Sequence, residues 1–323
     1  MPAISQHAKG LIITALGVLI ISPDGLLTRL IQVDHWTLIF WRTLFLGFGM
    51  ALIANLVHPH NTWQKYKTMG RVGMAMILVY SMGTISFVTA ITHTSVANTL
   101  IILSTTPLFA ALIGWLILRE PINARTWSAI LLVCIGVFVI SSDGSNQNSS
   151  LFGDLAAMTG AFFLAVGFTV VRRFPGITIF PVISASGLFT ALLILPLAQP
   201  FSVSQADMGY LILMGVYMLP VGTALMYLGP KYIPAPEVGL MLLLESILGP
   251  VWVWLALGEQ PGPRTFIGGA IILSTLAINA IWALRNASIR KTIAPNTPSP
   301  LRGAPEGIAR AGVRVEQRFN AEY

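Results

Sequence analysis

The sequence predicts an all-α membrane protein with ten transmembrane helices, built as two inverted five-helix repeats with both termini in the cytoplasm. Three observations lead to this fold class. Of the 323 residues, 55% are hydrophobic and only 10% are charged, whereas about a quarter of the residues in a soluble domain are charged. Uncharged apolar stretches of helical length recur along the chain, and its two halves resemble each other.

The apolar stretches are too long and too continuous for the strands of a membrane β-barrel. Residues 100–118 and 129–142 carry no charged side chain. A transmembrane helix needs about 20 apolar residues, whereas a barrel strand alternates over about ten. We therefore predict ten helical spans, at residues 10–31, 36–57, 70–91, 95–118, 125–140, 153–171, 180–197, 208–228, 235–257 and 264–284.

These spans divide the chain into two five-helix repeats, at residues 8–142 and 151–285, joined by a polar linker at residues 142–150. The remaining residues, 286–323, are rich in Pro, Gly and Arg and are predicted to form a disordered cytoplasmic tail. An alternative for the tail is that its basic stretch from Arg310 to Arg318 contacts anionic lipid.

Basic residues are unevenly distributed between the two sides of the predicted membrane. Only Arg29 and Arg264 fall on one side. The other side carries Lys9, Lys65, Lys67, Arg71, Arg119, Arg125, Arg172, Arg173, Lys231, Arg285, Arg290 and Lys291. Basic residues near span ends remain in the cytoplasm. Both termini are therefore predicted to be cytoplasmic, which agrees with an even number of spans.

Several classes of function are disfavoured by the sequence. The net charge of +7 is explained by membrane topology, so we expect no nucleic acid partner. Cys134 is the single cysteine, and no zinc-binding cluster accompanies it. The chain has no nucleotide-binding, dinucleotide-binding or metalloprotease motif, and no spacing that argues for a catalytic triad. We therefore expect neither a cofactor nor enzymatic activity.

The internal repeat appears when the sequence is shifted by 139 residues. Residues 115–126 then align with residues 254–265, and six of the twelve positions are identical, including a Glu and an Arg-Thr pair in the loops. Because each half has an odd number of spans, the second half would enter the membrane from the opposite side. Inverted repeats of this kind are typical of secondary transporters.

Ionisable residues inside the spans are the strongest candidates for a site, because charge is costly in a membrane. Glu245 lies near the middle of the ninth span, where it could bind a cationic group, carry a proton, or hold helices together in a neutral form. Asp24 and Arg42 lie at similar depths in the first two spans and can form an ion pair, for which structural, gating and substrate-binding roles all remain open. Pro23 beside Asp24 indicates a helix break.

The repeat also aligns two polar stripes near the predicted twofold axis. Asn98 and Thr106 of the fourth span align with Glu237 and Glu245 of the ninth, and Met241 lies between the latter two. Residues four positions apart share a helix face. We therefore expect both stripes to line the path of a solute.

Two aromatic residues, Trp41 and Tyr80, are further candidates to line a cavity. Tyr80 lies in mid-span beside Ser81 and Thr84. Most membrane Trp and Tyr residues instead anchor helices at the interface with water.

Together, these residues resemble the drug/metabolite transporter superfamily, and in particular transporters with two EamA domains. The resemblance covers about residues 8–285. It is carried by Pro107, Glu120, Arg125 and Gly136 in the first half and by the stretches 245–250, 257–259 and 268–269 in the second. Residues 22–24 and 40–42 are similar to one bacterial branch. The usual Gly before Glu120 is replaced by Arg119.

The resemblance implies a multi-pass carrier of the bacterial inner membrane, with a central cavity between the two domains. It favours export of amino acids or related metabolites by alternating access. Alternatives are a proton-coupled uptake permease and a non-transporting membrane scaffold, whereas a lipid-modifying enzyme lacks support. The expected partners are a small-molecule substrate, the lipid bilayer and, in a coupled mechanism, protons. Glu245 with Arg42 is one arrangement that could recognise a zwitterion.

Overall fold

The computed structural model describes residues 6–57, 59, 61–119, 124–142, 150–174, 176–228, 232–233 and 235–293. Within these ranges all regular secondary structure is helical, and no β-strand occurs. The predicted all-α class is therefore confirmed.

Helices lie over each predicted span, and some spans contain two of them. The helices of the first half are α1 Gln6–Ile21, α2 Asp24–Leu30, α3 His35–Val57, α4 Thr62–Lys67, α5 Gly70–His93, α6 Val96–Leu103, α7 Thr106–Leu118 and α8 Ala124–Ser141. Those of the second half are α9 Leu151–Arg173, α10 Ile179–Ile194, α11 Gln205–Ile212, α12 Leu219–Leu228, α13 Ala235–Leu257 and α14 Pro263–Ile293.

Among the described residues, seven helical segments are long and apolar enough to cross a membrane by length and composition. Shorter apolar helices occupy Thr126–Ser141, Ile179–Ile194 and Leu243–Leu257, within the fifth, seventh and ninth predicted spans. The full count of ten crossings and the cytoplasmic position of the termini therefore remain predictions.

Three spans are interrupted. The first breaks at Ser22 and Pro23, between α1 and α2, as the proline in the sequence predicts. The fourth breaks between α6 and α7, just before Pro107. The eighth contains a π-helical segment, Leu213–Met218, between α11 and α12. Such segments often occur at functional sites. In contrast, Pro250 lies inside the continuous helix α13.

The packing of the helices changes little when the two halves are exchanged. The counterparts of α1, α3, α5 and α6 in the second half are α9, α10, α12 and α13. Exchange converts the contact of α5 with α9 into that of α12 with α1, and the contact of α6 with α9 into that of α13 with α1. The pairs α3–α10 and α6–α13 map onto themselves, and all these pairs are in contact. This pattern is expected of two repeats related by a twofold axis.

Small residues allow the central helices to approach closely, as is common between membrane helices. Ala157, Ala161 and Ala165 are fully buried along α9, which packs on α5. Gly47 of α3 and Gly187 of α10 are so close that a Cβ on Gly187 would touch Gly47.

The outward-facing surface of the helices is apolar. Leu116, Leu131, Phe138 and Leu192 each expose about two thirds or more of their surface. A soluble monomer rarely exposes apolar side chains on this scale. The hydrocarbon core of a bilayer is therefore the environment that this surface fits.

Contacts divide the chain into two units, Met1–Ile281 and Trp282–Tyr323. In the second unit, α14 continues as helix to Ile293. Residues 286–293, predicted as the start of a disordered tail, are thus helical, and residues 294–323 lie outside the described part of the chain.

Candidate functional site

A buried ion pair joins the first two spans, between two residues whose pairing the sequence left open. Asp24 is the first residue of α2, immediately after the helix break. Arg42 Nη1 donates to Asp24 Oδ1 at 2.6 Å, and Arg42 Nη2 donates to Asp24 Oδ2 at 2.8 Å. Both residues are 5% exposed. This two-pronged geometry is the strongest form of an arginine–carboxylate contact.

Neighbouring groups complete the environment of Arg42. Its guanidinium carbon lies 5.2 Å from the centre of the Phe87 ring, at cation–π distance. Nη1 also lies 3.4 Å from Thr28 Oγ1 and 3.3 Å from Met214 Sδ. Met214 belongs to the π-helical segment, which therefore contributes directly to this environment. Arg42 Nε is buried and has no hydrogen-bond partner in the described part of the chain.

Glu245 belongs to the same polar region, although it is more than 200 residues further along the chain. It lies within electrostatic range of both Asp24 and Arg42. Its side chain is only partly buried, and among the described residues none forms a hydrogen bond or an ion pair with it. We name Asp24, Arg42 and Glu245 the charged core.

Contacts of α13 explain why Glu245 faces the break in the first span. Gly249, one turn after Glu245 on the same face, is packed against Leu100 and lies near the carbonyl of Ser22. The indole nitrogen of Trp252 donates to Ser22 Oγ at 2.9 Å. The hydroxyl of Ser246 donates to the carbonyl of Leu100 at 3.1 Å. These contacts tie α13 to the first and fourth spans around the charged core.

A second buried polar cluster lies where α5, α6, α9 and α14 meet. Asn98 Oδ1 accepts from Thr265 Oγ1 at 2.7 Å, and Asn98 Nδ2 donates to Thr94 Oγ1 at 3.4 Å and to Asp154 Oδ1 at 3.5 Å. Thr94 Oγ1 donates to Asp154 Oδ1 at 2.8 Å. We name these four residues the outer-end network, because the predicted topology places them near the outer surface. They connect the two halves of the chain.

An ion pair lies beside the outer-end network. Arg29 Nη2 donates to the carbonyl of Thr94 at 2.7 Å, and Arg29 Nε lies 3.4 Å from Glu259 Oε2. Glu259 also lines a small recess together with Ser95 and Pro250. The first, fourth and ninth spans are therefore joined at this end of the protein.

The other predicted site residues lie apart from the charged core or make their hydrogen bonds elsewhere. Asn98 is fully buried in the outer-end network. Thr106 donates to the carbonyl of Leu103 in its own span at 2.6 Å. Met241 is partly buried. The side chain of Glu237 lies outside the described part of the structure.

The two aromatic candidates have partners of their own. Tyr80 shares a hydrogen bond of 2.9 Å between hydroxyl oxygens with Tyr227, which links the third and eighth spans. The indole nitrogen of Trp41 donates to the carbonyl of Pro200 at 3.2 Å, and its ring stacks on Phe45. These contacts direct Trp41 away from the ion pair made by its neighbour Arg42.

Sequence reasoning did not single out Thr94, Asp154, Thr265 or the contact between Arg29 and Glu259. Asp154 carried a usable signal, because an ionisable side chain within an apolar span needs partners when it is buried. Thr94 and Thr265 carried none, since hydroxyl side chains are common in apolar helices and only the tertiary structure selects these two.

Both halves of the chain match the EamA-like transporter family, over residues 8–142 and 151–281. A relative from Methanothermobacter thermautotrophicus named an uncharacterized transporter is 26% identical over 202 residues, which cover 59% of this chain and 59% of the relative. The uncharacterized transporter YwfM of Bacillus subtilis is 24% identical over 200 residues, which cover 59% of this chain and 67% of the relative. The matches thus span about two thirds or less of these relatives.

A solved crystal structure has the same fold, with a TM-score of 0.63 over 87% of this chain and 99% of that chain, at 16% sequence identity. The family matches cover both halves of the helical region in which the charged core and the outer-end network lie. The chain therefore belongs to the EamA-like transporter family, within the drug/metabolite transporter superfamily, and is a multi-pass membrane protein.

Proposed function

We propose that the protein is a secondary transporter that moves small metabolites, namely amino acids or related amines, across the bacterial inner membrane by alternating access, with export as the favoured direction. The charged core is the proposed substrate site. The observation that carries the proposal is the position of Glu245, a carboxyl group without a hydrogen-bond partner among the described residues, beside the buried pair of Asp24 and Arg42.

The charged core costs free energy that a purely structural element would avoid. A charged side chain inside a membrane helix costs about 2.5–3.5 kcal/mol on insertion scales. Pairing offsets part of this cost for Asp24 and Arg42, because each neutralises the other. No described residue offers Glu245 the same compensation, so a ligand or a proton is its natural partner.

Alternating access is supported by the packing of the two halves. The main contacts between helices of the two halves have counterparts when the halves are interchanged. Such symmetric packing is expected of repeats that swap conformations about a central site. The outer-end network and the ion pair of Arg29 with Glu259 connect both halves at one end. In this proposal they close the outer side of the substrate path and separate when that side opens.

The test is transport in proteoliposomes that contain purified protein and a pooled panel of labelled amino acids and related amines. Wild type is compared with Glu245→Gln, which keeps the size of the side chain and removes its charge. Glu306→Gln, in the tail after the last apolar helix, is the matched control. We expect selective movement by wild type and the control, and a loss of about tenfold or more in Glu245→Gln, the size of one removed charge-assisted contact.

A pH gradient imposed in either direction separates the transport modes. Movement that follows the proton gradient would favour proton coupling, including the alternative of proton-coupled uptake, because Glu245 can carry a proton when no substrate is bound. Equal transport by Glu245→Gln and wild type would contradict the proposed site. No movement of any compound by correctly folded protein would favour the scaffold alternative.

A further inference from the structure

We propose that the charged core selects substrates that carry one positive charge and no carboxylate, such as amino acid amides, over the zwitterionic amino acids themselves. This inference rests on the proposed function and names the substrate class of the same site. It departs from the simpler hypothesis that Glu245 and Arg42 divide a zwitterion between them.

The net charge of the charged core favours a cationic substrate. With its groups ionised, it holds the two carboxylates of Asp24 and Glu245 and the one guanidinium of Arg42, and thus carries one net negative charge. A substrate with one positive charge brings the sum to zero. A zwitterion leaves the negative charge uncompensated, which is unfavourable in a region shielded from water.

The charge of Arg42 is already paired with a carboxylate. Both of its terminal nitrogens donate to Asp24, at 2.6 and 2.8 Å, and both residues are 5% exposed. A substrate carboxylate at Arg42 would either displace that of Asp24 or add a third carboxylate around one guanidinium. Both arrangements bury negative charge without a partner, which is strongly unfavourable.

Arg42 keeps its Nε donor available for a neutral group. Nε is buried without a hydrogen-bond partner among the described residues, and a single N–H donor is satisfied by one neutral acceptor. A carboxamide or hydroxyl oxygen supplies that acceptor without adding charge. The protonated amine of the same substrate would then pair with Glu245, which lies within electrostatic range of Arg42.

No other cation of the described residues is placed to pair with a substrate carboxylate at the charged core. Arg29, the arginine of the first span, contacts Glu259 at 3.4 Å and the carbonyl of Thr94 at 2.7 Å. Its charge is thus engaged beside the outer-end network. In the described part of the chain, Arg42 is the only cation within electrostatic range of Glu245.

The experiment compares each amino acid with its own primary amide, for example leucine with leucinamide and serine with serinamide. The two compounds differ only in that the carboxylate of the amino acid is a neutral carboxamide in the amide. Binding to purified protein in lipid nanodiscs is measured by calorimetry at pH 7, where the α-amine is protonated. Counterflow in proteoliposomes gives the same comparison for transport. The uncharged N-acetyl amides serve as the matched control for the positive charge.

We expect each amide to bind about tenfold or more tightly than its amino acid, and the N-acetyl amides not to bind. The variant Asp24→Asn releases Arg42 from its partner, so the charged core becomes neutral and can accept a zwitterion. It should therefore reverse the preference within each pair. Circular dichroism and size-exclusion chromatography verify that the variant is folded. If it is not, the comparison of amides with amino acids on the wild-type protein decides the proposal.

Amino acids that bind as well as or better than their amides in wild type would overturn this inference. If those amino acids are also transported in a manner that depends on Glu245, the proposed function stands without it. If no compound of either class is transported or bound, the proposed function itself fails.

Discussion

The carboxyl groups of Asp154 and Glu245 both lie within apolar helices, and the structure surrounds them differently. Asp154 is 1% exposed, lies in the first turn of α9, and accepts hydrogen bonds from Thr94 and Asn98 through Oδ1. The helix N-terminus also favours its negative charge. Glu245 lies in the middle of α13, is partly accessible, and has no hydrogen bond from any described residue.

The difference separates a polar group that holds helices together from one that is free to bind a ligand. Asp154 Oδ1 and the side chain of Asn98 hydrogen-bond to neighbouring helices, so removing either side chain should loosen the packing at the outer end. Asp154 Oδ2 is buried without a hydrogen-bond partner in the described part of the chain. Glu245 contributes nothing comparable to cohesion, so removing its charge should affect transport rather than folding. The four predictions that follow test this distinction, from the largest expected effect to the smallest.

The ion pair of the charged core should give the largest change in stability. Asp24→Asn or Arg42→Gln leaves one buried charge without its partner, and each variant should lose about 3–5 kcal/mol of unfolding free energy. Thermal unfolding of the detergent-solubilised protein measures the loss. The double variant Asp24→Asn with Arg42→Gln should recover much of it, because no unpaired charge of the pair then remains. If the double variant lost as much unfolding free energy as the two single variants added together, this pairing would be contradicted.

Asp154→Leu should cost about 1–3 kcal/mol, because Thr94 and Asn98 lose an acceptor in a buried site. Asp154→Asn keeps an acceptor oxygen and should cost less. Both variants should still bind the substrate of the charged core when folded. Unfolding curves and binding isotherms on the same preparations check this, and loss of binding in folded Asp154→Asn would erase the distinction between the two carboxyl groups.

Glu245→Gln should leave stability unchanged or raise it by about 1 kcal/mol, because an unpaired carboxylate is removed from a largely apolar region. The same variant should lose transport. A variant that is as stable as wild type or more stable, yet transports less, would distinguish Glu245 clearly from Asp154. A loss of more than about 2 kcal/mol in unfolding measurements would show instead that Glu245 holds helices together.

Arg29→Gln should change stability least, by about 0–1 kcal/mol, since its pair with Glu259 is partly exposed. Its expected effect is on opening of the outer end. Labelling of a cysteine introduced at Ser95, beside the recess, should be faster in Arg29→Gln than in the otherwise identical parent. Equal labelling rates would argue against a role of this ion pair in closing the outer side.

Much of the charged core could be predicted because the cost of burying charge acts on each residue separately. Asp24, Arg42 and Glu245 stand out in the sequence as ionisable side chains in apolar stretches. The similar depths of Asp24 and Arg42 in adjacent spans made a pair possible, and the structure decided that they touch. The outer-end network could not be predicted in the same way. Asn98, which the sequence predicts to line the path, bonds to Thr94 four residues before it and to Asp154 and Thr265, which are distant in sequence.

The sequence by itself determined the helical class and the membrane environment, and it carries the repeat and the family resemblance, because hydrophobicity and spacing are properties of single segments. Only the tertiary structure decided how Arg42 uses its donors. Both terminal nitrogens are taken by Asp24 while Glu245 is left without a hydrogen bond from any described residue. Such a choice of partner depends on distances of a few tenths of an ångström between side chains on different helices, and helix packing sets those distances.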